Sequence, residues 1–195
     1  MLFLPIGDYV MPKLPSIQKT SGSLDSGRKL PNYQDEGWCF MGIDPGKSGG
    51  VSIISNTEVW TYVAPSTEKD MWDIIEGWDS SAVAIIEHVT SSPQMGVVSA
   101  FTFGMGYGAL RMALTASGIP YEPIRPQVWQ KALGITPRKK TESKPDFKNR
   151  LRAKAQQLFP NLPIWKEPKS KGRQLAICDS LLIAEFCRRK YKGQM

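Results

Sequence analysis

Hydrophobic and polar positions change character near residue 37. Residues 1–36 are rich in Pro, Ser, Gly and Lys and hold no sustained period, which predicts a flexible N-terminal arm, disordered or draped on the body. From residue 37 the pattern sharpens. An apolar run over 38–43 ends on Asp44 and is stopped by Pro45-Gly46, and a second run, 51–54, follows two glycines. This predicts a hairpin with Asp44 on its first strand. Asn56-Thr57-Glu58 reads as a turn into a third strand over 59–63. Ser66 or Thr67 then caps a helix to about Trp78, with Met71, Ile74, Ile75 and Trp78 on one face.

Residues 82–89 are almost continuously apolar, the signature of a central strand, yet carry Glu87 near their end. A helix rich in small residues follows over 97–117, with Gly104, Gly106 and Gly108 clustered in it. A short strand over 120–125 leads to a helical segment bearing Val128, Trp129 and Leu133. Helices over about 145–158 and 173–190 complete the chain, the last with Asp179 inside an apolar stretch. Three meandering strands and then alternating elements predict an α/β domain over 37–195, a mixed central sheet flanked by helices.

Composition narrows the function classes. The 195 residues carry a formal charge of +7, which favours a polyanionic partner. No stretch reads as the roughly 20 apolar residues of a bilayer span, so no membrane partner is expected. Three cysteines in no ligand pattern suit a reducing compartment. The single histidine, His88, excludes multi-histidine zinc sites and leaves little room for a triad; it is expected to pack. Gly46-Lys47-Ser48 is not a P-loop, because position 41 is Met where that motif needs glycine. The glycine cluster is no dinucleotide fingerprint either. Its missing side chains let the helix closely approach the sheet, a partner subunit or nucleic acid, with packing the favoured reading.

Three acids stand where a fold alone would not put them: Asp44, Glu87 and Asp179. An isolated carboxylate is costly in a buried element. Two readings remain for each acid: a separate turn or ion-pair role, or a shared metal site. Carboxylates without His or Cys partners suit hard cations such as Mg²⁺ or Mn²⁺. Two such ions about 3.5–4 Å apart can hydrolyse a phosphodiester.

The stretches Gly42-Ile43-Asp44-Pro45-Gly46, Ile85-Ile86-Glu87 and Cys178-Asp179-Ser180-Leu181-Leu182-Ile183-Ala184 carry a resemblance. So do Pro93-Gln94-Met95-Gly96, residues 103–108 and residues 155–160. Together, over about 38–190, the chain resembles the RuvC-like Holliday junction resolvases of the RNase H-like superfamily, especially their phage-type and plant-chloroplast branch. The resemblance implies a homodimeric crossover junction endodeoxyribonuclease serving DNA recombination and repair. Asp44, Glu87 and Asp179 would be its catalytic residues and would hold two Mg²⁺ or Mn²⁺ ions per site. It implies a cytoplasmic location in a bacterial or phage-infected cell, or an organellar one if the arm is a transit segment.

One departure stands out. The family places a further acid or histidine three to five positions before the final aspartate, where this chain has Gln174, Leu175 and Ala176. Either three carboxylates with phosphate and water hold the second ion, or Lys171 or Arg173 compensates by charge, or the protein binds junctions with impaired cleavage. Another branched or hybrid nucleic acid is the remaining alternative substrate.

Eight Lys and Arg between Arg138 and Lys154 face only Glu142 and Asp146, and a second cluster precedes the last helix. The expected phosphate contacts are Lys47, Arg125, Lys131, Arg138, Lys139, Lys140, Lys148, Lys169, Lys171 and Arg173.

Overall fold

The computed structural model describes residues 33–34, 37–78, 81–89, 95–167 and 171–195, and residues 32–195 form one compact unit. The predicted arm therefore lies almost wholly outside the described residues, as do Pro93, Gln94 and Lys169. The elements are β1 (Cys39–Asp44), β2 (Gly50–Ile54), β3 (Val59–Val63), α1 (Glu68–Glu76), β4 (Ala82–Glu87), α2 (Val97–Ala116), β5 (Tyr121–Ile124), α3 (Pro126–Ala132), α4 (Lys144–Leu158) and α5 (Lys171–Tyr191). A 3-10 turn over Pro163–Lys166 links the last two. The order matches the sequence reading, and Thr67 is the α1 cap, its side chain accepting from the Asp70 N–H.

The five strands form one mixed sheet in the order β3-β2-β1-β4-β5. β1, β2 and β3 pair antiparallel, whereas β4 pairs parallel with both β1 and β5. Strand alternation sorts the side chains into two cores. Cys39, Met41, Ile43, Ala84 and Ile86 join Ile75 of α1 and Leu110 and Leu114 of α2 on one face. Phe40, Val83 and Ile85 join Trp129 of α3, Leu151 of α4 and the inner face of α5 on the other.

α5 is the organising helix. Every residue from Ala176 to Cys187 is buried, so it behaves as a core helix rather than an amphipathic one. It lies across β1, β2, β3 and β4. The Ser52 and Ser180 hydroxyls share a buried 2.8 Å hydrogen bond that fixes its register on β2. Gly42 permits the approach: a Cβ there would lie 2.1 Å from the Ala184 nitrogen and 2.2 Å from the Ser180 carbonyl oxygen. Arg188, Arg189 and Lys190 in its last turn complement the helix dipole, and Gly193 follows at φ 64°.

α2 departs from the sequence reading in two respects. A Cβ at Gly104, Gly106 or Gly108 would meet nothing within 4 Å, so these glycines do not serve close approach to the sheet. Among the described residues, α2 is long and apolar enough, by length and composition, to cross a bilayer, which the run of apolar positions did not suggest. Leu110, Ala113 and Leu114 are nonetheless docked in the core. Val97, Val98, Phe101, Met105 and Met112 stay exposed.

Candidate active site

Two strand ends and one helix build the site. Asp44 is the last residue of β1 and Glu87 the last of β4, and the parallel register pairs Ile43 with Ile86. The next pair in that register is Asp44 with Glu87, on neighbouring strands whose spacing is about 4.8 Å. Alternation from Phe40 and Gly42, and from Val83 and Ile85, turns both acids toward the α5 face. There α5 presents Asp179, which is only 6% exposed.

Each acid is held by backbone or core groups. The Gly46 N–H donates to Asp44 Oδ1 at 3.3 Å as the chain turns out of β1. Gly49 must lack a side chain, since a Cβ there would sit 2.2 Å from the Asp44 carbonyl oxygen. The Trp129 indole N–H donates to Glu87 Oε1 at 3.1 Å, and Trp129 itself is fully buried. Lys148 of α4 donates to Asp179 Oδ2 in an ion pair. The other oxygen, Asp179 Oδ1, is buried without a hydrogen-bond partner.

Electrostatics tie the four groups together. Burial lifts the Asp44 carboxyl above its ordinary range, and repulsion from Asp179 adds to this, against Lys148 and the Gly46 N–H. Glu87 is pushed up to about 7 by burial and then by Asp44 and Asp179, with Trp129 and Lys148 opposing. Burial works against the Lys148 charge, yet Asp179, Asp44 and Glu87 hold that ammonium above its usual value. The three carboxylates thus destabilise one another while sharing one cation.

This donor set fits a hard divalent cation: carboxylate oxygens only, mutually repelling, with Asp179 Oδ1 desolvated and unpartnered. Among the described residues, no three ligand-type side chains already stand at metal-holding spacing, and Lys148 supplies the positive charge.

A pH dependence follows. In the folded, metal-free protein Glu87 takes up its proton near pH 7, whereas an unfolded glutamate titrates near ~4.3. The folded state binds the extra proton between those values, so stability must fall as pH rises through that window. The thermal midpoint in chelator is expected to drop between pH 5 and pH 8, and Glu87→Gln is expected to remove most of that slope.

The structure sorts the expected phosphate-binding residues. Lys47, Arg125, Lys131, Arg138, Lys139, Lys140 and Lys171 are exposed. Arg173 pairs with Glu167 at 3.1 Å. Lys148 differs, being turned into the carboxylates. Among the described residues, the cation paired with Asp179 is Lys148, not Lys171 or Arg173. Gln174 is engaged as well: its Oε1 accepts from Arg152 at 2.6 Å and its amide donates to the Ile164 carbonyl at 2.7 Å. Trp129 and Gly49 were not recognised as site residues. The paired glycines after Asp44 were a usable signal, while nothing near Trp129 in sequence points 42 residues back to Glu87.

The connection 133–143 is pinned to α4 by Arg150. That guanidinium donates to the Thr136 carbonyl at 2.9 Å and to both Glu142 carboxylate oxygens, at 3.0 and 2.9 Å. Exposed Arg138, Lys139 and Lys140 are thereby held just before the helix that carries Lys148.

No protein-family model matches the chain, and no curated protein does. Among solved structures it is similar to Thermus thermophilus RuvC in complex with a Holliday junction substrate, with a TM-score of 0.53 and 15% identity over 80% of this chain and 97% of that one. A second Thermus thermophilus RuvC structure aligns with a TM-score of 0.49, 15% identity, and 80% and 96% coverage. At such identity the first likeness shows the fold alone: a mixed five-stranded sheet with flanking helices, as in that RuvC structure.

Proposed function

We propose that this chain is a divalent-cation-dependent endonuclease that resolves four-way DNA junctions as a homodimer, each subunit nicking one strand. The observation that carries the reading is the meeting of Asp44, Glu87 and Asp179, from β1, β4 and α5, on one face of a fold shared with a RuvC bound to a Holliday junction substrate. These three residues would hold the cation, whose chemistry is to activate water and offset charge on the leaving oxygen. Trp129 and the Gly46 N–H orient two of the ligands. Arg138, Lys139 and Lys140 offer phosphate contacts beside the site, which position DNA without reading its sequence. The motif stretches alone support the phage-type and chloroplast branch.

The exposed apolar stripe of α2 supports dimerisation. Val97, Phe101, Met105 and Met112 recur at helical spacing, and Gly104 and Gly108 leave the backbone between them open to a second copy of the helix. The absence of an acid at Gln174, Leu175 or Ala176 favours one second reading, a junction-binding protein with impaired cleavage.

One assay separates these readings: cutting of a four-way junction beside linear DNA and RNA–DNA duplexes of the same arms. The wild type is expected to prefer the junction by at least about tenfold, an effect of roughly 1.4 kcal/mol, and to cut it in symmetric pairs. Phe101→Asp with Met105→Asp is expected to sediment as a monomer and lose the pairing. Equal cutting of the hybrid would point to another RNase H-like nuclease. Tight binding without nicks would establish the impaired binder.

A further inference from the structure

We propose that Lys148 takes the place of a second cation, so that this site works with one divalent ion and not two. The inference rests on the carboxylate cluster being a cation site, and it concerns how many ions that cluster takes.

Charge comes first. Three ionised carboxylates carry three negative charges, and one divalent ion with one ammonium carries three positive ones. Two divalent ions beside the same ammonium would leave the part-buried site with two positive charges in excess, a costly arrangement where Glu87 and Asp179 are shielded from water. Asp179 is already divided between these tasks. Its Oδ2 takes the Lys148 ammonium, and its Oδ1 is buried and open.

Ligand supply comes second. A second ion would have to share those three side chains and take its remaining donors from DNA phosphate and water, because the neighbouring positions supply none. It would therefore compete directly with the ammonium. Ala176 and Leu175 offer none, and Gln174 is tied to Arg152 and to the Ile164 carbonyl. Turning its amide into the site would break both bonds and strand buried polar groups.

Placement comes third. Lys148 lies one turn into α4, a helix capped by Ser143, whose hydroxyl accepts from the Asp146 N–H at 3.2 Å. Leu151 and Ala155 bury the same helix against the core. The lysine stem therefore starts from a fixed point, and the ammonium is delivered to the carboxylates rather than left to roam on the surface.

The test is frozen-solution EPR of Mn²⁺ with the full chain, alone and mixed with a synthetic four-way DNA junction. Two ions held about 3.5–4 Å apart couple magnetically, which scattered ions on DNA do not. Wild type is expected to bind one uncoupled ion per chain, and Lys148→Gln to bind two with a coupled spectrum, its fold checked by circular dichroism. A coupled pair in the wild type would overturn the proposal, and so would a single ion in both proteins, since the lysine would then not be what excludes the second. Absence of any protein-bound ion in the wild type, with Asp44→Asn giving the same spectrum, would instead remove the cation site itself.

Discussion

Gly42→Ala is expected to destabilise the fold severely. The added methyl would sit 2.1 Å from the Ala184 nitrogen, 2.2 Å from the Ser180 oxygen and 2.7 Å from the Ala184 Cα, all backbone atoms of α5. No rotamer change relieves such a clash, so the helix must lift from β1. Overpacking of ordinary cores costs about 1–3 kcal/mol and occasionally more, and displacing the helix that covers four strands belongs at the upper end or beyond it. Against a domain stability of about 5–15 kcal/mol, that loss removes a large share of the whole. Gly106→Ala is the matching control. It lies within α2 with open space at its Cβ, and a glycine-to-alanine change in a helix interior is worth about 0.5–1 kcal/mol of added stability. Urea denaturation of the two variants is expected to move in opposite directions.

Asp44→Asn is expected to separate activity from stability. Loss of one cation ligand forfeits several kcal/mol of transition-state charge stabilisation, about a thousandfold or more in rate. Stability should hold or rise in chelator, because the carboxylate it removes is repelled by Asp179 and pushes up Glu87. The amide oxygen can still accept from the Gly46 N–H. Residues that destabilise the protein while serving its chemistry show this opposition. A marked fall in thermal midpoint for Asp44→Asn would instead identify a structural carboxylate.

Why some of this was legible in sequence is a matter of physical cost. An acid at the end of an apolar strand has few inexpensive explanations, so Asp44 and Glu87 declared themselves, and the apolar surroundings of Asp179 did the same. The order of elements along the chain followed from run lengths and turn residues. Lys148 was legible only as one of eight cations in a basic stretch, because spacing along an amphipathic helix does not say which cation turns inward. Its contact with Asp179 comes from the packing of α4 against α5. Gly104, Gly106 and Gly108 misled for a related reason: small residues announce a close approach without naming the surface approached, and here that surface is not the chain's own sheet. The Trp129 indole, a donor to Glu87 from a helix three elements away, left no local trace at all.

The most direct test of the central claim is cleavage of an end-labelled four-way DNA junction in Mg²⁺ and in Mn²⁺, with wild type beside Asp44→Asn. Symmetric paired nicks from the wild type, lost in the variant although it still binds the junction, are the expected result. Firm binding by both proteins with no nick in either metal would contradict it, and the positions filled by Gln174, Leu175 and Ala176 would then mark a resolvase fold that holds junctions without cutting them.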